Sequence, residues 1–281
     1  MAPVSGPGRV TKRTSYTVEA VARALDLLRA FSEPPHEFGL SELARELDMT
    51  KNLAFRLLKT LELKGFVHRV GDRYVVGMAV AELGRFAIHR FDAIRSAAEP
   101  ILHELRTRSG ETAYIVAREE FGAVCIGIDE SDDTVRGVLE LGAQLPLGAG
   151  GAPKVLLAYM PPADIEAVIG RGLPAYTKDT ITDPVALNRR LAQIRKNGYE
   201  FAAEEYREWA GAVAAPVFDE RGAVMTAIGI VGPSQRIKLK RADLIDLVVA
   251  AAARLSAVLR RPGASKRTYM KAPRLRTASR R

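Results

Sequence analysis

Along residues 17–76 the apolar positions recur at helical spacing three times and then at strand spacing twice. Val18, Val21, Ala22, Leu25, Leu28 and Phe31 fall three to four residues apart, which predicts an amphipathic first helix. Pro34 and Pro35 end it, since proline lacks a backbone donor and disfavours helical geometry in the residue before it. Leu40, Leu43, Ala44 and Leu47 line a short second helix, with Ser41 near its start as a cap. Asp48-Met49-Thr50 is a tight connection, and Thr50 caps a third helix whose Leu53, Ala54, Leu57, Leu58 and Leu61 share one apolar face. Gly65 stops that helix, and two short β-prone runs, 66–70 and 73–76, flank Gly71-Asp72. This order predicts a winged helix-turn-helix over 17–76.

Residues 77–92 predict a linker helix, and a longer one runs from about Ala93 to Arg108 on Ile94, Ala97, Ala98, Ile101, Leu102 and Leu105. From Thr112 the pattern shifts to apolar runs at 113–117 and 123–128. Helices follow near 154–160 and 184–197, then strands at 211–218 and 224–231 around the turn Asp219–Gly222, and a closing helix over about 240–259. The expected class is α+β: an N-terminal winged helix-turn-helix, a linker helix, and over 93–259 a sensor-type domain with an antiparallel sheet.

Composition narrows this. Of 281 residues, 27% are charged and 47% hydrophobic, which excludes a wholly disordered chain, a collagen-like repeat and a disulfide scaffold. No apolar run approaches the roughly 20 residues that span a bilayer. The first 16 residues lack the apolar core of a secretory signal. With Cys125 as the one cysteine there is no internal disulfide and no cysteine-built metal site. The expectation is a cytoplasmic protein without membrane, metal or cofactor. The net charge of +9 sits at the ends: 260–281 hold nine Lys/Arg and 1–16 three, with no acid in either, so 17–259 carry −3. Both ends are expected to be disordered basic tails, which fit nonspecific nucleic-acid binding by counterion release or simple solubilisation.

The third helix carries candidate chemistry. Its polar side offers Lys51, Asn52, Phe55, Arg56, Lys59 and Lys64 against the single acid Glu62. A helix in the major groove needs donors near its N-terminus for base edges and cations along its flank for phosphates. Lys51, Asn52 and Arg56 are therefore expected at or near bases, with Thr50 and Phe55 also in the interface; Phe55 either meets a thymine methyl or packs under the wing. Lys59, Arg69 and Arg73 are expected on phosphates, the last two from the wing. An ordinary solvated helix face would carry the same charges; the adjoining turn and hairpin favour double-stranded DNA.

Several segments in order resemble the IclR family of transcriptional regulators: Val18–Leu28, Leu40–Val67, "SGET" at 109–112, "LPAYTKDTITDP" at 173–184, "IRKNGYEF" at 194–201, "AVAAPVFDERG" at 212–222 and "GPSQRI" at 232–237. The resemblance implies a GAF-like effector domain and a homodimer, or dimer of dimers, on a pseudo-palindromic operator. It also implies control of a catabolic operon by a small organic effector. The family's effector sits at a helix start matching Leu147–Lys154, where Gly150, Gly151 and Ala152 leave backbone N–H groups open to an anion. Where relatives carry polar side chains, this chain has Ala202, Ala212 and Gly229. An apolar pocket would leave each oxygen of a small hydrophilic acid short of a donor, at a cost of about 1–3 kcal/mol. The expected ligand is a predominantly apolar or aromatic molecule against Leu147, Met225, Gly229 and Val231, with a carboxylate or other polar group facing Gly150–Ala152 and with Ala202 and Ala212 leaving space; the alternative is a filled-in pocket that binds no ligand.

Enzymatic readings find little support in the residues. Cys125 lies in an apolar strand, the four histidines lack metal-ligand spacing, and Glu204-Glu205 and Asp132-Asp133 read as solvated turns. The glycines at 148–151 match neither a phosphate loop nor a dinucleotide fingerprint. The alternative to a ligand-controlled regulator is a small-molecule-binding GAF-like protein with a catalytic or ligand-independent role.

Overall fold

The computed structural model describes residues 17–32 and 34–260. The predicted tails at 1–16 and 260–281 lie outside the described residues except for Arg260. The chain divides into two compact units with the boundary between His89 and Arg90.

The first unit contains α1 (Glu19–Ala30), β1 (Glu37–Gly39), α2 (Leu40–Glu46), α3 (Lys51–Leu63), β2 (Val67–Val70), β3 (Arg73–Val76) and α4 (Met78–His89). Its core joins Leu27, Phe31, Phe38, Leu43, Leu58, Val67 and Tyr74, drawn from every one of these elements except α4. Thr50 caps α3 by accepting from the Leu53 amide at 3.2 Å. Ser41 does not cap α2. Gly39 is the N-cap, and Glu42 reaches back to accept from the Gly39 amide at 2.9 Å, so a longer acid does the work expected of a serine. β1 has no counterpart in the sequence reading: three residues between two prolines and a helix carry no alternation, and only pairing with β3 makes them a strand. The three strands are ordered β1-β3-β2, and the wing turns at Gly71 with φ +63°. The α4 helix starts on the α3–β2 corner, where Gly77 donates to Phe66 O at 2.8 Å and Ala79 to Gly65 O at 3.2 Å.

The second unit contains α5 (Asp92–Ser109), β4 (Thr112–Arg118), β5 (Gly122–Asp129), β6 (Gln144–Pro146), α6 (Gly151–Ala158), α7 (Pro162–Ile169), α8 (Pro184–Asn197), β7 (Glu200–Ala203), β8 (Ala210–Phe218), β9 (Val224–Pro233), α9 (Ser234–Leu239) and α10 (Arg241–Leu259). Six antiparallel strands are ordered β6-β5-β4-β9-β8-β7. Strand residues alternate between two cores. Ala113, Ile115, Val213, Val217, Ile228 and Ile230 pack with α5 and α10. Tyr114, Val116, Ala214 and Ala227 pack with α6, α7 and α8. Burial on both faces explains why these strands are continuous apolar runs rather than alternating ones.

Candidate DNA interface and effector site

The α3 helix buries Ala54 and Leu58 and turns its other side to solvent. Lys51, Asn52 and Arg56 are exposed on that side, and among the described residues no ion pair or hydrogen bond engages their side chains. Phe55 is 42% exposed beside them. The remaining predicted contacts differ. Lys59 Nζ lies 2.7 Å from Glu62 Oε2, so its charge is part-neutralised within the helix. Arg69 is exposed at the wing and donates from Nε to Gly71 O at 2.9 Å. Arg73 is not presented as a free phosphate ligand: its Nη2 donates to Glu37 O at 2.9 Å and Glu42 Oε2 at 3.0 Å, and its Nε is 3.3 Å from Glu37 Oε1. The Gly39 amide and then Arg73 hold the Glu42 carboxyl below the usual range. Arg73 thus ties the wing to the start of α2, an antiparallel register effect with no local sequence signal.

In the second unit, register gathers the predicted effector residues. Ala202 pairs with Ala212, Ala212 with Val231, and Val231 with Thr112. The next row on the same face is Glu200, Ala214, Gly229 and Tyr114. The α6 helix covers this face, with Gly150 as its N-cap at φ +82° and all eight of its residues buried. Leu147 is buried next to the helix start. The side chain of Met225 lies outside the described residues.

Small residues here seat a helix rather than leave open space. A Cβ on Gly151 would come within 3.1 Å of Ala212 Cβ and 3.6 Å of Ala214 Cβ and Tyr114 Oη. A Cβ on Gly229 would meet Val213 O at 2.4 Å and Ala214 Cβ at 3.0 Å. The expected room at Ala212 and Gly229 is therefore used by close strand–helix and strand–strand approach. Burial pushes the ionisation of the Tyr114 phenol up, with the Ala152 backbone acting in the opposite direction. The wall on the outer side of α6 is aromatic. Tyr206 Cβ lies 3.8 Å from a Cβ built on Gly150, and the rings of Tyr206 and Tyr176 pack edge to face with centroids 5.0 Å apart. Leu173 closes over Gly148.

A cluster that the sequence reading missed lies beneath. Lys154 on α6 is 0% exposed, and its Nζ sits 2.6 Å from Glu200 Oε1 and 2.6 Å from Glu205 Oε1. Arg190 Nε is 3.0 Å from Glu200 and its Nη2 donates to Phe201 O at 2.7 Å. Burial pushes the Glu205 carboxyl up, opposed by Lys154. The Glu204-Glu205 pair is consequently no solvated turn: Glu204 accepts from Ser234 Oγ at 2.7 Å and Lys238 Nζ at 2.8 Å. The available signal was one lysine inside "GAPKVLLAYM", an otherwise apolar helix. Among the described residues no group of His, Cys, Asp and Glu is arranged to hold a metal, and burial pushes the Cys125 thiol up to about 11. No helix among them is long and apolar enough to cross a membrane.

Residues 86–257 match the family described as bacterial transcriptional regulator IclR C-terminal, and residues 20–71 match the IclR helix-turn-helix domain. The HTH-type transcriptional repressor AllR of Salmonella paratyphi A is 32% identical over 234 residues, covering 82% of this chain and 86% of that protein. The transcriptional repressor IclR of Escherichia coli K12 is 32% identical over 253 residues, covering 88% and 92%. A solved IclR homologue from Microbacterium hydrocarbonoxydans, complexed with 4-hydroxybenzoate, is 25% identical with a TM-score of 0.69, covering 85% of this chain and 98% of that one.

Replacing Gly229 with Ala should act on the sheet before it acts on any ligand. A methyl 2.4 Å from Val213 O must push β8 and β9 apart, so we expect a loss of about 1–3 kcal/mol in urea denaturation. Unchanged stability would show that the two strands can separate locally and that the position has slack.

Proposed function

The chain belongs to the IclR family of bacterial transcriptional regulators, and from that premise we propose that it is a ligand-responsive regulator of a catabolic operon, sensing an aromatic organic acid. It is a DNA-binding regulator rather than an enzyme. The observation that carries the DNA reading is the exposed trio Lys51, Asn52 and Arg56, unpaired among the described residues at the start of α3. In this reading Asn52 and Arg56 meet base edges, Thr50 caps the helix at the interface, and Phe55 meets a thymine methyl or packs under the wing. Lys59 and Arg69 serve phosphates. Arg73 acts through the wing's attachment.

The α4 helix shows no buried residue, and Met78, Leu83 and Phe86 are all more than half exposed. That apolar stripe is the proposed seam of a homodimer, itself able to pair into a dimer of dimers on a pseudo-palindrome with half-sites about 34–36 Å apart. A cytoplasmic location follows from the same function.

For the effector, the apolar and aromatic character of Leu147, Val231 and Tyr206 around the start of α6 favours an aromatic ring whose carboxylate faces the backbone at Gly150–Ala152, and the homologue bound to 4-hydroxybenzoate supports that class. Ala202 and Ala212 add no hydrogen-bonding side chain.

Arg56→Ala should cost about 1–3 kcal/mol of operator affinity and relax specificity at one base pair, while Lys59→Ala weakens all sequences alike and lowers the salt slope by about 0.9. Titrations on operator and scrambled DNA decide this, and an Arg56→Ala protein with unchanged affinity and specificity removes α3 from the major groove. Sedimentation equilibrium should find a dimer or larger at micromolar concentration; a monomer both with and without operator refutes the α4 seam. In a thermal-shift panel, benzoate or 4-hydroxybenzoate at about 100 times Kd should stabilise the protein by about 2.7 kcal/mol. Stabilisation by glyoxylate or pyruvate and by no aromatic acid would overturn the effector class.

A further inference from the structure

We propose that the buried Lys154–Glu205 ion pair positions the aromatic wall of the effector site, by holding the turn after β7 and the 173–181 strap against the start of α6. This rests on the effector reading above and adds to it two residues that need not touch the ligand.

The turn is a junction of four segments. The Glu205 side chain runs inward to Lys154 on α6 at 2.6 Å. The Glu204 side chain runs outward to Ser234 and Lys238 on α9. Their two carbonyls accept from the strap: Thr177 Oγ1 donates to Glu204 O at 2.5 Å and Thr180 Oγ1 to Glu205 O at 2.6 Å. Glu204 holds φ +62°, a region that costs a non-glycine residue energy and persists only where surroundings impose it. Opposed side-chain anchors impose it here. The next residue is Tyr206, which stands over Gly150 and carries Tyr176 of the strap on its ring edge.

Lys154 and Gly150 are four residues apart, so they share one side of α6. The ammonium is therefore one turn below the N-cap that the aromatic wall overhangs. Glu200 is paired a second time by Arg190, whereas the one direct ion pair of Glu205 among the described residues is with Lys154, Arg190 acting on it from farther away. Glu205 is thus the movable arm and Glu200 the fixed one. Releasing Glu205 frees Tyr206, the two carbonyl acceptors, and with them the strap.

Amide hydrogen exchange on the full-length protein tests this without a ligand. In Glu205→Ala, residues 175–181 and 204–209 should exchange about tenfold faster, while β4, β8 and β9 stay within about threefold of wild type. Glu205→Gln keeps an oxygen that accepts from Lys154, and it should restore protection to within about threefold. Wild-type protection of 175–181 in Glu205→Ala, or no rescue by Gln, overturns the proposal. With 4-hydroxybenzoate as probe, Kd should rise about tenfold in Glu205→Ala and recover in Glu205→Gln. Equal Kd in all three overturns the positioning role and leaves the aromatic-acid reading standing. A wild-type protein that binds no aromatic acid overturns that reading instead, and the exchange comparison still decides this one.

Discussion

An ammonium sealed from water has to be neutralised where it stands, because removing an ion from solvent costs several kcal/mol that only close, well-oriented partners return. Lys154 imposes that requirement on the second unit. Its partners come from β7 and from the turn that follows it, so α6 can seat on the sheet only when β7 is in register and the turn is closed. Around that anchor Ala212 and Ala214 let the helix start approach the sheet within contact distance, and Gly229 lets β8 and β9 close on each other. Charge fixes where the helix sits, and small side chains fix how near it comes. The geometry of the effector site follows from those two conditions together.

The winged unit applies the same economy of charge to a different end. Arg73 and Glu42 are spent on joining strand to helix, and Lys59 is partnered by Glu62. What remains unpartnered among the described residues, at the start of α3, is a short group of donors standing on a rigid apolar base of Ala54 and Leu58. A recognition surface works when its own side chains need no internal contact and the helix beneath them cannot shift. Cations already tied into the fold contribute less to phosphate affinity than their number in the sequence indicates, because each must give up an existing partner first.

Much was legible in the sequence because it is local. Apolar spacing placed α1, α3, α5, α8 and α10, the cap at Thr50 is set by the next turn, and the wing by Gly71-Asp72. Even the two-sided burial of the central strands showed as unbroken apolar runs. Short elements were missed where nothing local distinguishes them: β1, β6, β7, α7 and α9 are made by what they pack against. The tertiary structure alone decided the fate of the charges and the glycines. Arg73 looked like a wing cation until β1 paired beside it, Glu205 looked solvated until α6 brought Lys154 under it, and Gly229 looked like room for a ligand until Val213 O filled the space. A side chain's period is written in its neighbours along the chain; its partner is set by strand register and helix seating, which join residues as far apart as 154 and 205 and which no local pattern encodes.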